Sequence, residues 1–259
     1  MKKLEIENRG NFPYWGIDGC KPGWLCIGLS REGGHCAFIA KDIRCAHQVM
    51  KGRKAKIALI DIPVGLSGGE EERKCDKCAR QFIGKRRNSV FKVPCRQAID
   101  EYKKCADKEA GKNKSRQITG GPLSEQTWAI APKIAEVDSF LQCSVQNNNP
   151  KFKLRETHPE VCFRALKGAE LGYNKKKPGG KKERMKILAN HLPGAEKIRS
   201  EIKGCLKGGV ADDDILDAMV AAVTAKIGFP RYETLPLSEN PPKDSCGLPM
   251  EMVFSKGQP

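Results

Sequence analysis

The sequence predicts an α/β protein: a mixed five-stranded sheet flanked by helices, with an inserted helical, basic cap. Three observations predict it. Residues 56–65, KIALIDIPVG, hold the acid Asp61 at the end of a short apolar run rich in β-branched residues, which reads as a strand buried on both faces. Residues 14–40 carry apolar runs separated by the turn signals Lys21-Pro22-Gly23 and Gly33-Gly34, the spacing of an antiparallel meander. Residues 215–227 are apolar nearly all round and follow Asp212-Asp213-Asp214, as expected of a buried helix with acids in its first turn.

The elements follow in order. Residues 1–12 read as a loose leader. Strands are expected at 14–19, 24–29 and 36–40, with weak helical character at 43–51. The strand at 57–61 is stopped at once by Pro63 and Gly65. Helical patterns at 70–83, 96–108 and 123–142 then interrupt the α/β alternation, with polar segments at 85–88 and 110–121 and a closing loop at 147–150; these form the inserted cap, residues 67–150. Residues 152–156, FKLRE, alternate like a strand and again end at an acid. Pro159 suits the first turn of a helix running to 167. A basic, glycine-rich loop is expected at 175–182, then helices at 183–191 and 195–206. Ala218, Ala221 and Ala225 give the 215–227 helix a small-residue face for close packing on a sheet. One domain, 13–229, is therefore expected, followed by a Pro-rich tail, 230–259, wrapping the surface.

A net charge of +16 is unevenly spread. Residues 73–116 hold 15 Lys and Arg against 5 Asp and Glu, and residues 167–186 hold 8 against 2. The rest of the chain is neutral on balance, and charge concentrated this way points to a polyanionic partner, nucleic acid first, unless it is only a solvated face. The N-terminal residues MKKLEIENRG lack the apolar core of a signal peptide, and no run reaches membrane-spanning length. The expectation is a cytoplasmic protein without a membrane partner, its twelve cysteines mostly reduced.

The chemistry lies in the acids. Three expected strands end at or near Asp18, Asp61 and Glu156, and the last helix begins with Asp214 and Asp217, which share a face. Each acid alone reads equally as a turn residue, an N-cap or half of an ion pair. Convergence of four such elements on one pole would need a cation to offset the repulsion. Hard carboxylate oxygens suit Mg²⁺ or Mn²⁺, and two such ions about 3.5–4 Å apart activate water and stabilise a leaving oxygen in phosphodiester cleavage.

Together these words resemble a family. GIDG (16–19) with Trp24, IDIPVGL (60–66), RKCDKCAR (73–80), SVFKVPCR (89–96), GGPLSEQTW (120–128), ETHPE (156–160) and DDILDA (213–218) resemble, in order, the family catalogued as domain of unknown function family 429. That family is described as predicted nucleases of the ribonuclease H fold, and the chain is most similar to the Holliday-junction-resolvase branch of that fold. The resemblance implies a metal-dependent nuclease holding two Mg²⁺ or Mn²⁺ ions. Asp18 would bridge the ions, Asp61 would be the central ligand, and Asp214 and Asp217 would complete the site; Glu156 is additional to the minimal resolvase set. Resolvase-like relatives often work in pairs, so a homodimer is compatible with it.

Other residues are candidates for substrate or proton handling. His158 suits a proton shuttle, since histidine titrates near neutrality; its plainer reading is a loop histidine bonded to backbone. Glu160, after a proline, reads as a first-turn helix residue. Arg80, Arg86, Arg87 and Arg96 suit phosphate clamping by guanidinium forks, and Lys175 with its neighbouring lysines suits a backbone groove. KKKPGGKK lacks the context and ending of a P-loop. Cys75 and Cys78 supply only one close pair where structural zinc wants two. Ser124-Glu125-Gln126 reads as a ligand-polarising group or as an N-cap box.

Three functions fit unequally. A nuclease uses both the acids and the basic stretches. A nucleic-acid-binding protein of the same fold would bind with strong salt dependence and cleave nothing. An ATP-dependent phosphotransferase of the actin and sugar-kinase fold would also begin with an Asp-Gly turn, but usually carries a duplicated domain, and the chain has no second GIDG-like word.

Overall fold

In the computed structural model the expected strands pair into one mixed sheet, and the elements follow the chain as β1 (Glu5–Ile6), β2 (Tyr14–Cys20), β3 (Gly23–Leu29), β4 (His35–Ala40), α1 (Ile43–Gly52), β5 (Ile57–Ile60), α2 (Lys74–Ile83), α3 (Arg96–Lys104), α4 (Lys108–Ile118), α5 (Glu125–Gln146), β6 (Lys153–Glu156), α6 (Pro159–Lys167), α7 (Pro178–His191), α8 (Ala195–Cys205), α9 (Asp212–Gly228), and the short β7 (Glu233–Leu235) and β8 (Met252–Phe254). The structure describes residues 5–6, 10–69, 71–105, 108–119, 121, 123–146, 153–206 and 209–257. The expected loop at 147–150 lies outside them. The chain divides into two units: residues 1–61, 150–233 and 253–259, and residues 62–149 with 234–252.

The sheet belongs to the first unit, in the order β1-β4-β3-β2-β5-β6. β2, β3 and β4 form the antiparallel meander, while β5 joins β2 and β6 joins β5 in parallel. The short β1 adds an antiparallel edge beside β4, within the stretch expected to be a loose leader. β5 is buried at all four positions, as its uninterrupted apolar run requires.

α9 lies across the sheet, with Ala218, Ala221 and Ala222 fully buried. A Cβ on Gly16 would sit 2.1 Å from the Ala218 carbonyl oxygen and 2.3 Å from the Ala222 nitrogen. Glycine at that point of β2 and small residues on α9 therefore let the two backbones approach. The core of this unit runs from Leu25, Ile27 and Leu59 through Phe163, Leu188 and Ile202 to Met219 and Val223.

α7 begins earlier than the charge pattern suggests. Residues 178–182 are helical, with Pro178 in the first turn, so only 175–177 of the expected loop stay outside a helix. A Cβ on Gly180 would meet the Asn174 carbonyl oxygen at 1.9 Å, which explains a glycine where the chain folds back on itself.

In the second unit the expected helices are present as α2, α3 and α5, and a further one, α4 (Lys108–Ile118), covers most of the segment expected to be polar and irregular. Its composition, KEAGKNKSRQI, hides it: it packs through small residues, the Ser115 hydroxyl donating to the Ala98 carbonyl at 3.3 Å and Gly111 lying against Tyr102. The Ser124 hydroxyl accepts from Thr127 N at 3.1 Å, so this residue caps α5. The Pro-rich tail is more than a surface wrap. Asp244 accepts from the backbone nitrogens of Leu66, Leu248 and Cys246 at 3.0, 2.9 and 2.8 Å and pairs with Arg96. Its buried carboxylate thus ties the tail to the start of the cap.

Candidate metal centre

Strand register places the acids. Ile17 lies opposite Ile60, and Ile60 opposite Glu156. Paired residues share a face of the sheet, and neighbours along a strand alternate. Gly16 faces α9, so Asp18, two residues on, faces it too. Ile57 and Leu59 lie in the core that includes α9, and Asp61 continues their face, its backbone nitrogen donating to Ile17 O at 3.0 Å. Parallel neighbours β2 and β5 therefore deliver two carboxylates side by side at their carboxyl ends.

From the other side α9 contributes Asp217, buried, and Asp214, half-buried, one turn apart. Asp214 also caps its own helix, its Oδ2 accepting from Ala211 N at 2.9 Å. The same parity argument sets Glu156 apart. It is buried, but it shares the face of Ile17 and Ile60, opposite to that of Asp18 and Asp61.

The acids act on one another. Burial raises the pKa of Asp18 well above the carboxylate range, and the charges of Asp61, Asp217 and Asp214 raise it further. Burial also raises Asp61; His158 and Lys175 oppose this while Asp217 and Glu160 add to it, and the result is about 6. Asp217 is raised by burial against the opposing pull of Lys175, and Asp214 is raised chiefly by burial. Burial and like charge both disfavour the ionised form of a carboxylate.

Two residues given other roles by the sequence enter this site. Lys175 Nζ pairs with Asp217 Oδ2 at 2.7 Å. Burial works against its charge, but Asp217, Asp61 and Asp18 outweigh that and push its pKa up. It is thus an internal counter-ion of the acids in this structure. Glu160 is buried in the first turn of α6 and pairs with the buried Arg184 at 2.5 Å. Its charge opposes ionisation of both Asp61 and Asp217. The sequence signal was present in PE at a helix start, but nothing in the chain before folding distinguishes an N-terminal helix acid that meets solvent from one whose charge reaches Asp61.

His158 caps α6, its Nδ1 accepting from Glu160 N at 3.2 Å, and its charge is felt at Asp61. Among the described residues, no three His, Cys, Asp or Glu side chains are close enough to ligate one ion as they stand. In kind, the donor set fits a hard divalent cation: four aspartate carboxylates with no thiolate among them.

The candidate phosphate-binding arginines lie in the second unit. Arg80 pairs with Glu72 and donates to Val90 O at 3.2 Å. Arg96 is held by Asp138 at 3.0 Å and by Asp244. Both guanidinium groups are engaged in internal bonds. Arg86 is half-buried, and Arg87 is exposed beside Lys85. Internal pairing also neutralises much of the second basic stretch: Lys167 meets Glu183 at 2.8 Å, and Lys181 meets Asp212. All twelve cysteines are free thiols. No described helix is long and apolar enough to cross a membrane.

A family model described as "Protein of unknown function (DUF429)" matches residues 16–236. No curated protein and no solved structure matches the chain.

Proposed function

Because the chain belongs to the DUF429 family of proteins of unknown function, we propose its activity from its own carboxylates: it is a divalent-cation-dependent nuclease that hydrolyses phosphodiester bonds of DNA or RNA. One observation carries this reading. Asp18, Asp61, Asp214 and Asp217 come from three separate elements, yet each of the first two has its ionisation opposed by the charge of another acid in the set. A fold that gathers buried carboxylates against their mutual repulsion incurs a cost that a structural role does not require. Mg²⁺ or Mn²⁺ held there supplies the Lewis acidity that activates water and stabilises a leaving oxygen.

The protein's part is positioning. β2 and β5 fix Asp18 and Asp61 through the parallel ladder, so the two acceptors share a rigid base. α9 brings Asp217 and Asp214 from above, at a distance set by Gly16 and the α9 alanines. Lys175 supplies positive charge to the metal-free acids; released from Asp217, its ammonium stands ready for a substrate phosphate. The bond from Glu160 N makes His158 Nδ1 an acceptor, so a neutral His158 carries its proton on Nε2 and can donate a hydrogen bond from there.

In the reaction, a water molecule loses a proton to solvent and its oxygen bonds to phosphorus as the bond to the leaving sugar oxygen breaks, and that oxygen takes up a proton from solvent. The test is cleavage of labelled duplex, single-stranded, branched and hybrid DNA and RNA at low salt in Mg²⁺ or Mn²⁺, comparing wild type with Asp61→Asn. Cleavage by the wild type alone supports the nuclease. Absence of cleavage on every substrate, or equal cleavage by both proteins, would sink it.

A further inference from the structure

Glu160 and Arg184 form an ion pair that is only half made. Arg184 is 1% exposed and Glu160 5%. Arg184 Nη2 donates to Glu160 Oε1 at 2.5 Å, while Nη1 donates to the carbonyls of Gly180 and Tyr173 at 3.0 and 3.4 Å. The guanidinium lies over the Phe163 ring, 5.5 Å from its centroid. Arg184 is therefore fixed to the main chain around α7. Glu160 is fixed from the other side, at the start of α6, where His158 caps it.

An Arg–carboxylate pair built only to clasp two helices is complete when both oxygens meet the fork. Here Oε2 of Glu160 is buried with no hydrogen-bond partner among the described residues, and so is Nε of Arg184. Leaving a buried charged acceptor unsatisfied is costly. β6 lies beside β5, and Thr157 N donates to Ile60 O at 3.0 Å one residue before Asp61, so the start of α6 that carries Glu160 lies at the end of the sheet that carries Asp61; the acid's charge correspondingly opposes ionisation of Asp61 and Asp217.

We propose that Glu160 is a fifth carboxylate of the cation centre, held at Oε1 by Arg184 so that Oε2 accepts a hydrogen bond from water in the coordination sphere of a divalent ion. The inference rests on the reading of the aspartates as a cation centre. Arg184 makes a fifth acid tolerable, because its guanidinium balances the added charge within the same buried pocket. Glu160 is in this sense a positioning residue, acting on the ion through ordered water, and such outer partners commonly set metal affinity by factors of about 10–100.

The experiment is calorimetric titration of Mn²⁺ into wild type, Glu160→Gln and the double variant Glu160→Leu/Arg184→Met, each with its urea midpoint. The double variant removes both buried charges together and so leaves no uncompensated ion, which keeps the test open where the single variant fails to fold. Mn²⁺ affinity is expected to fall at least about tenfold in each folded variant. A variant that loses stability but binds Mn²⁺ within about twofold of wild type makes the pair a helix clasp and overturns the proposal. A wild type that binds no Mn²⁺ overturns the cation centre itself, which is a different failure.

Discussion

Lys175 is the residue on which the electrostatics of the site turn. Its ammonium pairs with Asp217, and it also acts on Asp61 and Asp18. Lys175→Met therefore leaves crowded carboxylates without their counter-charge. Because the lysine side chain is about one-third exposed, the loss is expected to be about 1–2 kcal/mol, below that of a fully buried pair. The urea midpoint in EDTA reads it. The same variant should bind Mn²⁺ more tightly than wild type, since no ammonium has to leave Asp217 first. Unchanged stability and unchanged affinity would show that Lys175 only touches the site. The sequence displayed this lysine as one of a basic run, and it displayed Asp18, Asp61, Asp214 and Asp217 as acids at element ends. What it could not display was pairing: Lys175 and Asp217 lie 42 positions apart, and charge counting within a window treats the lysine as free. Glu156 and Glu160 show the converse. Both stand in the word ETHPE, and only strand register separates the face carrying Glu156 from the one that Asp61 shares.

At the scale of elements, the site depends on how closely α9 lies on β2. Gly16→Ala would put a methyl group into the helix backbone near Ala218, a clash that rotamer changes cannot relieve. A loss of about 3 kcal/mol is expected, with Mn²⁺ binding impaired because Asp217 moves with the helix. Thermal unfolding checks the first effect and calorimetry the second. The alanine face of α9 was legible because its spacing is local. The α4 helix was not, since a polar stretch carries no periodic apolar signal and becomes a helix through packing on α3. The tail was misjudged for a similar reason: its prolines read as a surface wrap, whereas Asp244 makes it structural. Burial works to raise the pKa of Asp244, but bonds from Leu66, Leu248, Arg96 and Cys246 prevail and hold it below the usual range. A depressed folded-state pKa stabilises above the unfolded value of about 3.9 and is lost as pH falls through the folded value. Asp244→Asn should therefore cost about 2 kcal/mol near neutrality, and wild type and variant should converge in strong acid. Urea titrations at pH 7 and at pH 2.5 compare them; a constant difference between the two would contradict the assignment.

Across the whole chain, the +16 charge matters less than which charges remain unpaired. Lys167, Lys175, Lys181 and Arg184 in the second basic stretch all meet acids, so composition overstated that stretch as a polyanion surface. In the first stretch, Arg80 and Arg96 are likewise engaged, while Lys85 and Arg87 are exposed and Arg86 half-buried. Replacing Lys85, Arg86 and Arg87 with serine should weaken polynucleotide binding and reduce the slope of log affinity against log salt by about 2–3. Fluorescence anisotropy over a range of salt concentrations measures both, and an unchanged slope would place the phosphate contacts elsewhere. The central claim, however, concerns the acids. The most direct measurement is calorimetric titration of Mn²⁺ into wild type and Asp18→Asn/Asp61→Asn at one pH and salt concentration, with melting temperatures alongside. The account predicts saturable binding and a raised melting temperature in the wild type, both lost in the double variant. Absence of binding in the wild type, or equal binding by the two proteins, would contradict it.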